Sequence, residues 1–194
     1  KPNIAVTRTS AGVLMLRQGR LKQGWEEIGH RKLHGTKLYG MNVGVLEQCP
    51  ARDWKGELEA GKSILIASEQ GIGDQMLHSQ ILRDLLDAEM NIHMTCTPKI
   101  VDLMKRSLPT VTIYPSDKEI DKETLSGMDF KADLLDLGKY LRDDLEKFTN
   151  PFYFIQPEPD LAAHFKQKYL QFGDKLKVGI SWKSVSKSVG VLKS

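Results

Sequence analysis

The sequence predicts an α/β protein, a Rossmann-like and mostly parallel sheet preceded by a helical hairpin. Three observations predict it. Compact apolar runs of strand character recur through the middle of the chain, and stretches of helical spacing alternate with them. The first 34 residues carry apolar positions at helical rather than alternating intervals. Alternating strands and helices are satisfied most readily by right-handed crossovers onto a parallel sheet.

The elements follow in order. Val13, Leu14, Leu16, Leu21, Trp25, Ile28 and Leu33 mark two short helices, joined by a tight turn near Gly19-Arg20, within residues 1–38. Such a hairpin cannot bury its apolar face alone, so it calls for a neighbour to stack on. Residues 39–61 dissolve into Gly, Asn, Pro and Asp and read as a connector. Residues 62–175 then form the Rossmann-like domain. It opens with a buried strand at residues 63–67, a Gly-containing turn, and a helix from 74 to 88 striped by Leu77, Ile81 and Leu85. A strand at 91–96, a helix opened by Pro98 and running to Leu108, and strands at 110–114 and 132–136 continue the alternation. Pro151, Pro157 and Pro159 set an extended connector, a helix covers 160–172, and a strand at 177–182 begins a further region, 176–194.

Composition narrows the function. With 40% hydrophobic and 27% charged residues, the chain reads as a soluble globular protein rather than a disordered one. Its net charge of +3 is too small and too evenly spread to argue for a nucleic-acid groove. No apolar run approaches the roughly 20 residues that span a bilayer. Cys49 and Cys96 lie far apart with no CxxC pattern, so neither a disulfide framework nor a zinc site is expected, and a cytoplasmic location follows. The chain starts at Lys1 without a leader and stops abruptly at Ser194, which reads as a piece of a longer protein.

Two motifs carry chemistry. Residues Gly56-Glu57-Leu58-Glu59-Ala60-Gly61-Lys62-Ser63 satisfy GxxxxGK[ST] letter for letter. A phosphate loop must follow a strand and open a helix, whereas this one follows a connector and runs into a strand, so the ATP-site reading is rejected. Glu69-Gln70-Gly71-Ile72-Gly73-Asp74 is the more informative motif, because it falls where the first strand of the domain ends and its helix begins. Ligands of open α/β sheets sit beyond the carboxyl ends of the strands. The plainer role for Asp74 is a helix cap, accepting from unpaired N–H groups.

Taken together, Gly24-Trp25-Glu26-Glu27, Trp54-Lys55-Gly56-Glu57, Gly61-Lys62 and the Glu69 to Asp74 turn resemble the bacterial tetratricopeptide-repeat glycosyltransferases over most of the chain. Ile28 and Gly29 stand where that family has Tyr or Phe. The resemblance implies a tetratricopeptide-like hairpin followed by the acceptor-side half of a two-Rossmann-domain (GT-B) enzyme related to heptosyltransferases and to O-linked GlcNAc transferase. Gly179-Ile180-Ser181-Trp182-Lys183-Ser184, with Lys193-Ser194, resembles the opening of the donor-binding domain, so the enzyme is expected to be incomplete in this chain. The implied reaction moves a sugar from a nucleotide sugar to an acceptor hydroxyl, with Asp74 as general base and Glu69 as its alternative. Gln70, Gly71 and Gly73 would shape the turn, His78 would line the same cleft one turn on, and Lys183, Ser184 and Lys193 would meet the donor diphosphate. No metal and no cofactor beyond the nucleotide-sugar substrate is implied. A protein partner would dock through the hairpin. The competing reading is a non-catalytic interaction scaffold.

Overall fold

The computed structural model describes residues 4–34, 43–69, 71–148 and 152–180 of the 194-residue chain. The chain divides into two compact units, Lys1–Gln156 and Pro157–Ser194.

The first unit opens with helices α1 (Ile4–Arg17) and α2 (Leu21–Ile28). The turn between them is closed at Gly19, whose φ of +77° lies in the left-handed region that a glycine adopts at little cost. The two helices cross where both are glycine. A Cβ on Gly12 would stand 2.8 Å from the Gly24 carbonyl oxygen, and one on Gly24 would stand 2.6 Å from Leu16 Cδ2. Helix α1 begins at Ile4, nine residues ahead of Val13, where the predicted apolar pattern starts. A 3-10 turn, Gly29–His34, follows α2.

The predicted connector holds two short elements, α3 (Val43–Gln48) and β1 (Arg52–Asp53). They form because their apolar residues have somewhere to go. Val45 and Leu46 pack on the buried cluster of Cys49, Leu65, Ile120, Leu125 and Met128. Trp54, just beyond β1, is buried in the main core and its backbone N–H donates to the Lys131 carbonyl at 2.9 Å.

The sheet is built by β2 (Ser63–Ala67), β3 (Asn91–Cys96), β4 (Thr112–Pro115) and β5 (Phe130–Asp133), with β1 at its edge. Among the described residues it is five-stranded, in the order β1-β5-β2-β3-β4, and every pairing is parallel. The α/β reading with a parallel sheet is therefore observed. Ile64, Leu65, Ile66 and Ala67 of β2 are all fully buried, as a strand covered on both faces must be.

The chain steps outward from β2 to β4 and then returns to lay β5 on the other side of β2, so the order reverses between β2 and β5. That reversal opens a crevice at the carboxyl ends of the two strands.

The helix expected over 74–88 is broken into α4 (Ile72–His78), a 3-10 turn (Ser79–Ile81) and α5 (Leu82–Asp87). Ser79 is the cause that the sequence carries. Its buried hydroxyl donates to the Gln75 carbonyl at 2.6 Å, and such back-bonding bends a helix. Helix α6 (Val101–Ser107) follows a 3-10 turn at Pro98–Ile100, as expected from that proline. Two five-residue helices, α7 (Lys122–Ser126) and α8 (Leu137–Leu141), flank β5 and are too short to show periodicity.

The second unit holds α9 (Pro159–Leu170), where the Glu158 side chain accepts from the N–H groups of Asp160 and Leu161. Leu161, Phe165 and Tyr169 are exposed along it. Of the strand expected at 177–182, residues 177–180 carry no regular structure and the rest lie outside the described residues. A strand needs a neighbour's ladder to join. No helix among the described residues is long and apolar enough to cross a membrane.

Candidate functional site

The crevice between β2 and β5 is the place to look for chemistry, and the side chains at its rim are charged. Glu69 stands two residues past the end of β2 and Asp133 is the last residue of β5. Asp136 follows on the 3-10 turn that leads into α8. From the opposite side the 3-10 turn after α2 delivers Arg31 and Lys32.

Arg31 grips Glu69 in a two-pronged ion pair, Nε donating to Oε2 at 2.6 Å and Nη2 to Oε1 at 2.5 Å. Its remaining donors reach Asp136 Oδ1 at 2.9 Å and the Ile28 carbonyl at 3.3 Å. Glu69 Oε1 also accepts from the Leu135 N–H at 3.1 Å. Both side chains are buried, at 1% and 0% exposure, which leaves Glu69 no face open to a substrate. Burial alone would lower the Arg31 pKa, but the hydrogen bonds and charges of Glu69 and Asp136 raise it above its ordinary value. Lys32 bridges Asp133, at 2.6 Å, and Asp136. Burial pushes the Asp133 carboxyl upward more strongly than Lys32 pulls it down, and the carboxylates of Glu69 and Asp136 add to the upward push. Asp133 Oδ1 finds no partner among the described residues.

The turn singled out in the sequence lies beside this network. Gly71 has extended backbone at the N-cap of α4, and Asp74 closes a capping arrangement by accepting from the Gly71 N–H at 3.2 Å. Gly71, Gly73 and Asp74 are exposed at the carboxyl rim. A Cβ on Gly73 would meet nothing, so no close neighbour demands glycine there. Gln75, which the sequence reading passed over, anchors the turn. It is buried, donates to Thr97 Oγ1 at 2.8 Å and accepts from the Thr97 N–H at 3.0 Å, tying α4 to the end of β3.

His78 packs edge-on against Trp25, ring centroids 6.2 Å apart. Burial lowers its pKa, the Asp74 charge opposes that, and Arg31 reinforces it. It lines an apolar groove with Leu77, Leu16 and Phe152. Gln70, Lys183, Ser184 and Lys193 lie outside the described residues.

The GxxxxGKS stretch behaves as a strand lead-in. Gly61 turns with φ of +75°, Lys62 Nζ pairs with Asp129 Oδ1 at 2.9 Å, and the chain enters β2 instead of opening a helix.

What the sequence missed is the cationic half of the rim. Arg31 and Lys32 stand 38 and more residues from their acidic partners, and adjacent basic residues at the end of a helical hairpin were the sole local sign of them.

This arrangement defines an α/β protein whose switch-point crevice is closed by an ion-pair network from its own N-terminal hairpin. Among known proteins, the chain is 26% identical to Protein FlbA of Caulobacter vibrioides over 196 residues, which cover 94% of this chain and 32% of that protein. The chain thus spans about a third of that relative's length. No family model matches the chain, and no solved structure matches it. These findings correct the resemblance drawn from the motifs. No tetratricopeptide-repeat or glycosyltransferase family model recognises the chain, and the relative's name designates no glycosyltransferase. The four short motifs that carried the resemblance are turn, cap and packing residues here, which unrelated α/β chains also need.

Proposed function

We propose that the chain contributes the acceptor-side lobe of an enzyme transferring a sugar from a nucleotide sugar to an acceptor hydroxyl, in the cytoplasm, with Asp74 taking the acceptor proton. The observation that carries this reading is the exposed carboxylate of Asp74 at the carboxyl rim of a parallel sheet, held among the described residues by a hydrogen bond from the Gly71 N–H. Inverting transfer needs a positioned base within hydrogen-bond reach of the attacking hydroxyl. Exposed backbone at Gly71 and Gly73 lets a substrate or a second lobe come close. Glu69 takes the supporting part in this scheme, fixing the strand end from which the turn springs. The test is calorimetric titration of nucleotide sugars into the full-length protein, with mass spectrometry of the glycosylated acceptor. Saturable binding and a mass increase of one sugar are expected.

A second reading is favoured by one specific observation, namely that Arg31 and Glu69 already fill the crevice where an α/β enzyme would hold its ligand. The protein is then a non-catalytic scaffold that docks a partner protein through the helical hairpin. Absence of any nucleotide-sugar heat, with a partner protein retained by α1 and α2, selects it.

A further inference from the structure

An apolar groove of about 540 Å³ runs between the hairpin and the helices α4 and α5, and neither reading above assigns it a ligand. Leu16 and Leu21 line it from the hairpin, Leu77 from α4, and Phe148 and Phe152 from the segment after α8. A second depression, of about 300 Å³, is lined by Tyr153 and Ile155 and shares Leu77, Gln80 and Phe152 with the first, so the two form one track. Its large side chains are open to water. Leu77 is 60% exposed, Phe148 54% and Tyr153 86%. Apolar side chains left this open along one contiguous track mark a surface that another molecule covers.

The charges along the groove have one sign. Arg17, Arg83, Arg142 and His78 line it, and no carboxylate does so among the described residues. Arg17 is exposed at the end of α1 and has no ion-pair partner among the described residues. Arg83 pairs with Asp87 one turn along its own helix, with both side chains exposed, a contact worth little in water. Arg142 is committed to Asp84, to which it donates at 2.6 Å. The guanidinium groups of Arg83 and Arg142 lie over the rings of Phe152 and Phe148, at 5.6 and 5.8 Å, which holds both charges at the edge of the apolar track. Such a rim attracts an acidic partner and repels a basic one.

We propose that this groove docks one amphipathic helix of a partner protein, its apolar face laid on Leu77, Phe148 and Phe152 and its acidic flank set against Arg17 and Arg83. Arginine together with tryptophan, phenylalanine and tyrosine is the composition of protein-binding surfaces, and an apolar track with charged edges is the form in which a helix is received. A second copy of the chain fits poorly, because a symmetric contact sets the same arginines against each other. The apolar stripe of α9 in another copy is flanked by Lys166 and Lys168 and brings the same sign. Asp74 does not border the groove, so the docking site stands without the sugar-transfer reading.

The experiment is fluorescence anisotropy with a labelled synthetic helix of about 18 residues, leucine at alternating third and fourth positions and glutamate on both flanks, titrated into the full-length protein. A twin peptide carries lysine for each glutamate, and dodecanoate is the lipid probe. Saturable binding of the glutamate peptide is expected, weakened by added salt, with the lysine twin at least about tenfold weaker. Arg17→Glu and Leu77→Glu, both at exposed positions, each weaken that binding about tenfold with an unchanged melting curve. The inference is overturned if the glutamate peptide does not saturate the protein, if the lysine twin binds as tightly, or if both variants bind like the wild type. It is also overturned if dodecanoate saturates the groove and the peptide does not, or if sedimentation shows a dimer that Leu77→Glu splits. Leu77 lies outside the hairpin, so its loss of binding separates this groove from docking on α1 and α2 alone, and nucleotide-sugar binding is read separately in the same samples.

Discussion

Arg31 and Glu69 form the most consequential pair in the molecule, because each is sealed from water with its charge met by the other. Taking two ions into the interior is costly, and their attraction repays the cost only while both remain. Glu69→Ala should therefore destabilise the fold by about 3–5 kcal/mol in urea denaturation, leaving a buried guanidinium with Asp136 alone. The double change Arg31→Met with Glu69→Leu should recover most of that loss. If Glu69→Ala unfolds with the wild-type midpoint, the pair is not the joint described here.

Acid sensitivity belongs to the same scale. His78 and His93 are held below the ordinary histidine pKa, in both cases first by burial. Folding therefore favours their neutral forms. The stability this gives is present above the ordinary histidine pKa and is lost as pH falls through it toward the folded values. Asp133 has the opposite sign, since its raised pKa favours the neutral acid, and its contribution fades as pH rises through the folded value. His78→Gln should flatten the acid side of a melting-temperature profile, and an unchanged slope would remove His78 from the account.

At the scale of elements, the hairpin is attached by a tryptophan and a glycine. Trp25 of α2 lies against Gly138 of α8, where an added Cβ would stand 2.4 Å from the indole ring. Leu21, Ile28 and Leu135 complete the contact. Gly138→Ala should cost about 1–3 kcal/mol by overpacking, and the loss should appear as an altered Trp25 fluorescence before the sheet unfolds.

Strand β2 was readable because Ile64 to Ala67 form an apolar run buried on both faces, and β3 because four of its six residues are buried, whereas the two-residue, exposed β1 carries no apolar run to read. The hairpin was readable from Gly19 and the helical spacing of Leu21, Trp25 and Ile28. Elements α3, α7 and α8 were not, since five or six residues cannot display a helical period. Nor was the break at Ser79, whose hydroxyl is indistinguishable by sequence from a solvated one.

For the molecule as a whole, local pattern located Glu69 and Asp74 at the end of the first internal strand, and the fold puts both at the carboxyl rim. Which of them would be sealed depended on Arg31, from another part of the chain, and no local pattern records a partner 38 residues away. The long-range pairing leaves Asp74 as the exposed carboxylate of the turn, and the sugar-transfer proposal reduces to that group. Asn caps a helix about as well as Asp, so Asp74→Asn keeps the turn while removing the base. The decisive measurement is the turnover of a nucleotide sugar by the full-length protein, wild-type and Asp74→Asn, at equal melting temperature. The account predicts a fall of about 10²–10⁴-fold in the variant, and equal turnover in the two proteins would contradict it.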